Sequence, residues 1–497
     1  MDQVLKRCDQ AAADFAKDPV HDLRVALRRC RSMADGMMAI DPSPEWRRMK
    51  KAGKQLFSAL GDLRDAQVMT DWIEQLSPPE DPVGKALAAH AGAQEQASKQ
   101  VAQTSLHNFD RKRWVRWTEI LPARAEHIPL GSAVFLHMAL ERWTEARALH
   151  SRALRNQSNA AWHALRIGIK RFRYTVENFL PQLHDAWVDD LKKLQDYLGE
   201  VHDLDVLRDT AVKVTAFPDG DVRQRWQTRI LQERSQRIEK YREKMVGPAS
   251  LWRLWRKHLP RDKEVEAAAF ERLKLWAGFL DPDPRHAQRV CRLALQLYDR
   301  MYKLGLIRPD REYDLRAVLK IATTLHEVGR AKGEPRHHKR SSKLIRKLSP
   351  PLPYREKDLQ LVGTVARYHR GALPSTSQKY FARLSAGQQN RILLLGGILR
   401  LADSLVSARN APLRHVAVAR QGGCVVISVD GYETRDHSAA RVAVARHPLE
   451  TYFDLPVVVR PRSPAISELQ PARQRRLARQ SSSQSKISGS RSAKKAV

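Results

Sequence analysis

The chain has 497 residues, more than one ordinary hydrophobic core accommodates, so two or three domains are expected. Its 88 Lys and Arg residues exceed the 55 Asp and Glu residues by 33. That surplus excludes a neutral metabolic enzyme and indicates a polyanionic partner. The four cysteines form no CxxC pair, and no apolar run is long enough to cross a membrane. Together these features predict a soluble protein of the reducing cytoplasm that does not bind membranes.

The positive charge is distributed unevenly along the chain. Residues 1–250 hold 40 basic and 34 acidic side chains, whereas residues 251–400 hold 32 basic and 14 acidic ones. The first half is therefore nearly neutral, so any positive surface there must arise from the way the charges are arranged.

The predicted elements are mainly helical. Apolar residues recur at helical spacing up to about residue 409, and a change of composition at residues 255–266 marks a domain boundary. After Asn410, "HVAVARQGGCVVISVDG" predicts two strands around a turn, followed by a helix and a third strand at "LPVVVRP". The end is rich in Ser, Lys and Arg and is predicted to be disordered. The expected domains are residues 1–258, residues 270–460 and a basic tail at 461–497.

The first half contains an internal repeat. "VHDLRVALRRCRSM" at 20–33 aligns with "WHALRIGIKRFRYT" at 162–175, a shift of 142 residues. "KQLFSALGDLRDAQV" at 54–68 aligns with "KKLQDYLGEVHDLDV" at 192–206, a shift of 138 residues. Two matches in the same order at nearly the same shift indicate a tandem duplication. The two helical units are expected at about residues 1–125 and 132–258.

Each copy of the first motif places cations on one side of a helix and apolar residues such as Leu23 and Leu165 on the other. The stripes consist of His21, Arg24, Arg28 and Arg31, and of His163, Arg166, Lys170 and Arg173. Stacked cations repel one another unless an anion lies over them. One such helix could simply be a solvated basic face. Two equivalent stripes favour two walls of one anion-binding groove, to which Lys54 and Lys192 would add a residue each.

These motifs resemble the CHAD domain, a helical domain named for its conserved histidines. The resemblance covers about residues 5–255 and implies two pseudo-symmetric helical bundles around a basic channel that binds inorganic polyphosphate. It also implies that the ten basic residues above contact the polymer. The forked guanidinium groups of a row of arginines match the oxygens of successive phosphates. Proteins that bind nucleic acids stack bases on aromatic residues, and neither stripe contains any. Such binding is expected to weaken with salt.

The second half carries histidines and acids whose order resembles the HD-type domain at the C-terminal side of exopolyphosphatases and guanosine pentaphosphate phosphatases. The closest stretches are "RHHKRSSKLI", "ARYHRGALP" and "ILRLADSLVSAR". The resemblance implies a divalent metal, Mn or Mg, held by His286, His326, Glu327 and Asp403. It places further phosphate contacts at His337, His338, Lys339, Arg340, His369 and Arg370.

Two departures argue against a catalytic metal. The doublet that names the HD superfamily is His-Asp, but this chain has His326-Glu327, and Arg340 stands where relatives often have a histidine. The many nearby cations would also repel a metal ion. The N-terminal ATPase-like domain of those phosphatases is replaced by the other module. The sequence therefore favours a degenerate, non-catalytic HD-like domain that acts as a second polyanion-binding surface.

Three functions remain open at this stage. The favoured one is polyphosphate binding by two modules whose combined avidity would place the protein at polyphosphate granules. The alternative is a metal-dependent phosphohydrolase acting on polyphosphate or a guanosine polyphosphate. The third is nucleic-acid binding driven by charge alone, to which the basic tail would contribute nonspecifically.

Overall fold

The computed structural model describes residues 1–78, 80–213, 220–407, 415–432 and 437–462. The fold is mainly α-helical with a small sheet near the C-terminal end, which confirms the predicted fold class. The chain forms two compact units. The first comprises Met1–Phe279 with Ser349–Arg355, and the second comprises Leu280–Leu348 with the chain from Glu356 onward. No helix in the described ranges combines the length and apolar character that crossing a bilayer requires.

The first unit is built from helices joined mostly by short connections. They are α1 (Asp2–Asp14), α2 (Lys17–Met37), α3 (Pro44–Ala52), α4 (Lys54–Leu76), α5 (Pro82–His107), α6 (Arg111–Ala125), α7 (Ala133–Asn156), α8 (Asn159–Phe179), α9 (Pro181–Lys213), α10 (Gly220–Met245), α11 (Leu251–Arg256) and α12 (Asp262–Gly278).

Helix lengths repeat at the spacing of the sequence alignments. α2 and α8 each have 21 residues and start 142 positions apart, at Lys17 and Asn159. α5 and α10 each have 26 residues and start 138 positions apart. The copies differ at Gly53, which separates α3 from α4, whereas the aligned stretch of the second half lies within the single helix α9.

The apolar faces of α2 and α8 anchor both helices in one core. Leu23 and Leu27 of α2 and Leu165, Ile169 and Phe172 of α8 are fully buried. Each such side chain contributes on the order of 1.5–3 kcal/mol through burial. α2 also packs directly against α8. With these faces buried, the cationic side of each helix is left to form surface.

A second, smaller core joins the two halves of the first unit where α4, α5, α9 and α10 meet. Trp72, Leu204 and Trp226 are among its buried residues. The Nε1 of Trp226 donates a 2.8 Å hydrogen bond to Oδ2 of Asp81. The same carboxylate caps α5 by accepting a hydrogen bond from the backbone N–H of Gly84 at 2.9 Å. This carboxylate thus ties α10 to the start of α5.

The segment Ser349–Arg355 belongs to the first unit although it lies far along the chain. The buried Nε2 of His137 donates to the carbonyl oxygen of Leu352 at 2.6 Å, and the backbone N–H of Leu352 donates to Glu141 at 3.2 Å. Glu141 also accepts a 2.7 Å hydrogen bond from Arg272 of α12. The segment therefore satisfies polar groups of α7.

The second unit combines helices with the sheet. Its elements are α13 (Pro284–Lys303), α14 (Leu315–Leu325), a 3₁₀ turn (Val328–Lys332), α15 (His337–Ile345), α16 (Glu356–Arg367), α17 (Lys379–Ala382), α18 (Ala386–Ser407), β1 (Val416–Gln421), β2 (Cys424–Val429), α19 (His437–Ala445), α20 (His447–Phe453) and β3 (Val457–Pro461).

The sheet has the order β1-β2-β3. β1 pairs antiparallel with β2, with Val416 opposite Val429, and β2 pairs parallel with β3. The turn between β1 and β2 uses Gly422 and Gly423 at φ 54° and 75°, backbone angles that glycine adopts without steric cost. The predicted strands and the intervening helical segment are therefore present. The tail predicted at 461–497 overlaps the end of β3 at Pro461, and its residues from 463 onward lie outside the described residues.

Candidate functional site

A cleft of about 690 Å³ opens in the first unit, lined by side chains of α2, α3, α4, α7, α8 and α9. We call it the basic cleft. Eight cationic side chains and three carboxylates line it: Arg24, Arg28, Arg31, Lys50, Arg142, Arg166, Lys170 and Arg171, with Asp35, Asp65 and Asp203. Both predicted cationic stripes thus contribute to one concave surface.

Neutral acceptors hold the arginines of α2 in place. Nη1 of Arg24 donates to the carbonyl oxygens of Leu60 and Gly61 at 3.1 and 2.9 Å. Nη1 of Arg31 donates to the carbonyl oxygen of Lys50 at 3.0 Å. The carbonyl contacts position each guanidinium without neutralising its charge, and Asp65, whose Oδ1 lies 3.8 Å from Nη1 of Arg24, compensates that charge in part. Their remaining N–H groups are available to an external anion.

Two of the cations on α8 differ from the arginines of α2. Among the described residues, neither Arg166 nor Lys170 makes a hydrogen bond or an ion pair, although both are half-buried and Nε of Arg166 is fully buried. Burial lowers the pKa of both groups, and the neighbouring charges of Arg166 and Arg28 help to lower the pKa of Lys170 to about 7. The nearby carboxylate of Asp203 offsets only part of this cost, so an anion that binds in the cleft would stabilise both cations.

The second motif supplies acids that the sequence reasoning overlooked. Asp65 and Asp203 occupy equivalent positions in the two copies, and both line the basic cleft. Burial raises the pKa of Asp203 to about 6, against the opposing effect of Arg166. Burial also lowers the pKa of the adjacent His202 to about 4. The same spacing separates Lys54 from Asp65 and Lys192 from Asp203, so the internal repeat could have identified both acids from the sequence.

Several predicted contacts lie outside the lining of the basic cleft. His21, His163, Lys54 and Lys192 are exposed. The Nδ1 atoms of His163 and His202 lie 3.3 Å apart. Burial, followed by neighbouring arginines, lowers the pKa of both His21 and His163.

Arg173, the last residue of the second stripe, also lies outside the lining. Its Nε lies 3.8 Å from a carboxylate oxygen of Glu177, which also accepts a hydrogen bond from Arg29. Arg173 is therefore the stripe residue of α8 whose charge is partly compensated within the protein.

Two aromatic rings line the basic cleft, but cations cover them. The guanidinium carbon of Arg31 lies 5.0 Å from the ring centroid of Phe57, and that of Arg28 lies 5.8 Å from the ring centroid of Tyr174. The hydroxyl of Tyr174 also accepts a hydrogen bond from Arg28. Rings engaged by cations in this way leave little face on which a base can stack.

The second unit brings six predicted residues into one buried cluster, which we call the His-carboxylate cluster. Its members come from five successive parts of the unit: His286 on α13, His326 and Glu327 at the end of α14, His337 on α15, His369 just after α16, and Asp403 on α18. All except His286 are at least nine-tenths buried.

Backbone carbonyls fix three of the imidazoles. Nδ1 of His326 donates to Thr323 at 2.8 Å and Nδ1 of His337 donates to Glu334 at 3.0 Å, while His369 donates to Ala366 at 2.7 Å. Because a carbonyl only accepts, each Nδ1 carries a proton, and Nε2 is the ring nitrogen that faces the cluster. This arrangement is typical of histidines that ligate metals.

The Nε2 atoms converge on two carboxylates. Those of His337 and His369 lie 3.1 and 3.3 Å from Oε1 of Glu327. Nε2 of His326 lies 3.8 Å from carboxylate oxygens of both Glu327 and Asp403, and Nε2 of His286 lies 2.8 Å from Oδ1 of Asp403. The fully buried Nε2 of His326 has no hydrogen-bond partner among the described residues. An orphaned nitrogen among nitrogen and oxygen donors fits a divalent ion.

Glu327 reaches the cluster although its side chain is one methylene longer than that of the aspartate in the usual His-Asp doublet. Burial opposes ionisation of Glu327, but hydrogen bonds from His337 and His369 hold its pKa below the usual range. Burial likewise opposes ionisation of Asp403, and contacts with His286 and His326 hold its pKa low. Both carboxylates are therefore anionic, as metal ligands must be.

A single carboxylate, that of Glu334, partly compensates two of the cations near the cluster. Arg340 donates to the carbonyl oxygens of Gly329 and Gly333, so it braces the 3₁₀ turn. Arg330 and Arg370 both pair with Glu334 at 2.9 Å. Arg330 also donates to Oε2 of Glu327, the oxygen that does not face the histidines. The ring of His338 lies beside His337, and Lys339 is exposed.

Comparison with known families agrees with both halves of this description. Residues 1–212 match the CHAD domain, and residues 278–421 match domain III of the Ppx/GppA phosphatases. No curated protein matches the chain. The chain thus combines a CHAD domain with a Ppx/GppA phosphatase domain III, as its motifs predicted.

Proposed function

We propose that the protein binds inorganic polyphosphate in the basic cleft. The observation that carries this proposal is the pair Arg166 and Lys170, which lack hydrogen-bond acceptors among the described residues although they are half-buried. A bound polyanion would supply the missing charge. The match to a CHAD domain and a Ppx/GppA domain III fits a polyphosphate-related role.

The arrangement suits a phosphate polymer in particular. Polyphosphate offers about one negative charge for each phosphate, and it has no base to be read. Arg24, Arg28 and Arg31 recur at helical spacing along one wall, with Arg166 and Lys170 on the other. Multidentate donors in a row match such a ligand, whereas nucleic acid would also require open aromatic faces.

Titration of the full chain with polyphosphates of graded length tests this proposal. Arg28→Gln combined with Arg166→Gln removes one cation from each wall, and we expect a loss of affinity of at least about tenfold. Arg29→Gln is the matched control, because Arg29 lies on the same helix, is exposed and pairs with Glu177 outside the cleft. Equal affinity in the double variant and the control would overturn the proposal.

Competition separates polyphosphate from nucleic acid. At matched phosphate concentration, long-chain polyphosphate is expected to displace duplex DNA far more effectively than DNA displaces polyphosphate. Equal displacement in both directions would instead favour binding driven by charge alone.

We further propose that the second unit holds a divalent metal ion and acts as a phosphohydrolase. The observation that favours it is the convergence of three Nδ1-anchored histidines on Glu327 and Asp403. Two groups of ligands that share His326 lie close enough to hold an ion: His286 and Asp403 complete one, and Glu327 and His369 complete the other. The ion would supply Lewis-acid activation for transfer of a phosphoryl group to water. The carbonyls of Thr323 and Ala366 keep two of the imidazoles in the ligating tautomer.

Phosphate release tests this second activity. Release from polyphosphate or a guanosine polyphosphate in the presence of Mn²⁺ or Mg²⁺ is expected for the natural chain and not for His326→Ala. The absence of metal-dependent release under all conditions would remove the phosphohydrolase proposal and leave polyphosphate binding intact.

A further inference from the structure

Lys170 has surroundings unlike those of an ordinary surface lysine. It is half-buried in the wall of the basic cleft and has no hydrogen-bond acceptor or ion-pair partner among the described residues. Arg24 and Arg28 face it from α2, and Arg166 faces it from its own helix. The nearby groups of α9 are the acid Asp203 and the imidazole of His202.

An ammonium group in such surroundings loses its proton readily. Burial removes water from it, and three guanidiniums repel its charge while one nearby carboxylate opposes them. The pKa of Lys170, lowered to about 7 chiefly by burial, agrees with this environment. Near neutral pH the share of neutral amine at Lys170 is therefore far larger than for an ordinary lysine, which is neutral in roughly one molecule in a thousand at pH 7.5. A neutral amine is a nucleophile.

The same guanidiniums would bind the phosphate of an incoming reagent. Arg28 and Arg166 line the cleft beside Lys170, and Arg forks bind phosphate oxygens in a bidentate manner. A small phosphate ester or anhydride would therefore be held with its other end close to an unprotonated amine. Such proximity greatly raises the effective concentration of the two reacting groups.

We propose that Lys170 is a site of Nζ-acylation by acyl phosphates, which the basic cleft recruits through their phosphate group. The amine lone pair attacks the acyl carbon, and the bond between that carbon and the phosphate oxygen breaks. Inorganic phosphate leaves with the bonding electrons, and the surplus proton on nitrogen passes to the solvent. The products are an amide at Lys170 and free phosphate. The modified cleft has one cation fewer, so it binds polyanions more weakly.

Acetyl phosphate is the probe, and peptide mass spectrometry of the full chain is the readout. Lys170 is expected to be acetylated about tenfold faster than the exposed Lys193, with a rate that rises as the pH passes through about 7. Inorganic phosphate should compete with the reagent. Arg166→Gln should slow the reaction at Lys170 and leave the rate at Lys193 unchanged. Acetylation of Lys170 no faster than that of Lys193, or without competition by phosphate, would overturn the inference.

Acylation of Lys170 does not require polyphosphate to be the natural ligand of the basic cleft. If polyphosphate binds while Lys170 stays unmodified, the acylation proposal fails and polyphosphate binding stands. If Lys170 is acetylated rapidly but polyphosphate neither binds nor protects it, the acylation proposal stands and polyphosphate binding fails.

Discussion

Arg28 and Tyr174 join the two repeats of the first unit across the basic cleft. Nη1 of Arg28, on α2, donates a 2.9 Å hydrogen bond to the hydroxyl of Tyr174, on α8, and its guanidinium carbon lies 5.8 Å from the ring centroid. The two residues lie 146 positions apart in the chain. The neutral hydroxyl of Tyr174, on one wall, therefore orients the cationic side chain of Arg28, on the other.

Tyr174→Phe tests whether that contact orients Arg28 for ligand binding. The ring remains, but the acceptor is lost, so Arg28 must be ordered when the ligand binds. We expect an affinity for polyphosphate reduced by roughly threefold to tenfold, consistent with one hydrogen bond of about 1 kcal/mol. The salt dependence should be unchanged because no charge is removed. A steeper or shallower salt dependence would show that Tyr174 acts in another way.

Salt dependence counts the cations that the ligand contacts. A plot of log affinity against log salt concentration should be steep and negative for the natural chain, and Arg28→Gln or Arg166→Gln should each reduce its slope by roughly one. Arg29→Gln serves again as the control and should leave the slope unchanged. Slopes that do not differ among these variants would place the ligand outside the basic cleft.

Affinity for long-chain polyphosphate should fall as the pH rises from 6 to 8. The pKa of Lys170 is lowered to about 7 and that of Asp203 is raised to about 6. A bound polyanion favours the protonated form of each, so binding takes up protons and is strongest at low pH. Lys170 alone should account for about a tenfold change across this range. Lys170→Arg keeps its positive charge at both pH 6 and pH 8, so the affinity of this variant should depend less on pH. An equally steep pH dependence in the variant would contradict the role of Lys170.

Lys170→Met should stabilise the unliganded protein while weakening polyphosphate binding. The folded state holds Lys170 at a pKa below its value in the unfolded chain, so the unfolded state binds more protons between about pH 7 and pH 10. The destabilisation by Lys170 is therefore complete below pH 7 and disappears as the pH rises through that window. We expect a gain on the order of 1–3 kcal/mol at pH 6. Thermal unfolding of the natural chain and the variant at pH 6 and pH 9, with and without polyphosphate, measures the difference in stability. An unliganded variant that is no more stable than the natural chain at pH 6 would contradict the prediction.

Divalent metal should stabilise the protein through the His-carboxylate cluster. A thermal unfolding series with Mn²⁺ is expected to raise the midpoint of the natural chain as the metal concentration exceeds its dissociation constant. His326→Ala should lose the effect. His447→Ala is the control, because His447 lies on α20 with its side chain 60% exposed. An equal rise in all three proteins would indicate nonspecific binding of the metal.

The cationic stripes were predictable because they depend on local geometry. Helical periodicity places Arg24 and Arg28 on one side of α2 and Leu23 on the other, and the repeat extends this to α8. The pairing of Arg28 with Tyr174 was not predictable, since it depends on how two distant helices pack. Alignment made Lys54 equivalent to Lys192 but did not show where their side chains lie relative to the cleft.

The His-carboxylate cluster illustrates the same limit. The order of His286, His326, Glu327 and Asp403 along the chain was sufficient to suggest convergence. The roles of the individual histidines depend on where each helix ends. His326 and His369 lie just after the last turns of α14 and α16, where carbonyl groups lack helical partners and can accept from Nδ1. Sequence spacing does not reveal such end effects.

The segment Ser349–Arg355 has a practical consequence for dividing this protein. A fragment that stops at Phe279 would carry every wall of the basic cleft, yet it would lack the backbone carbonyl to which His137 donates and the amide that donates to Glu141. The buried His137 would then lose its hydrogen-bond partner, and Glu141 would keep only the hydrogen bond from Arg272. Limited proteolysis or gene truncation between the two units would therefore damage the N-terminal half, because seven of its residues are encoded beyond the cut.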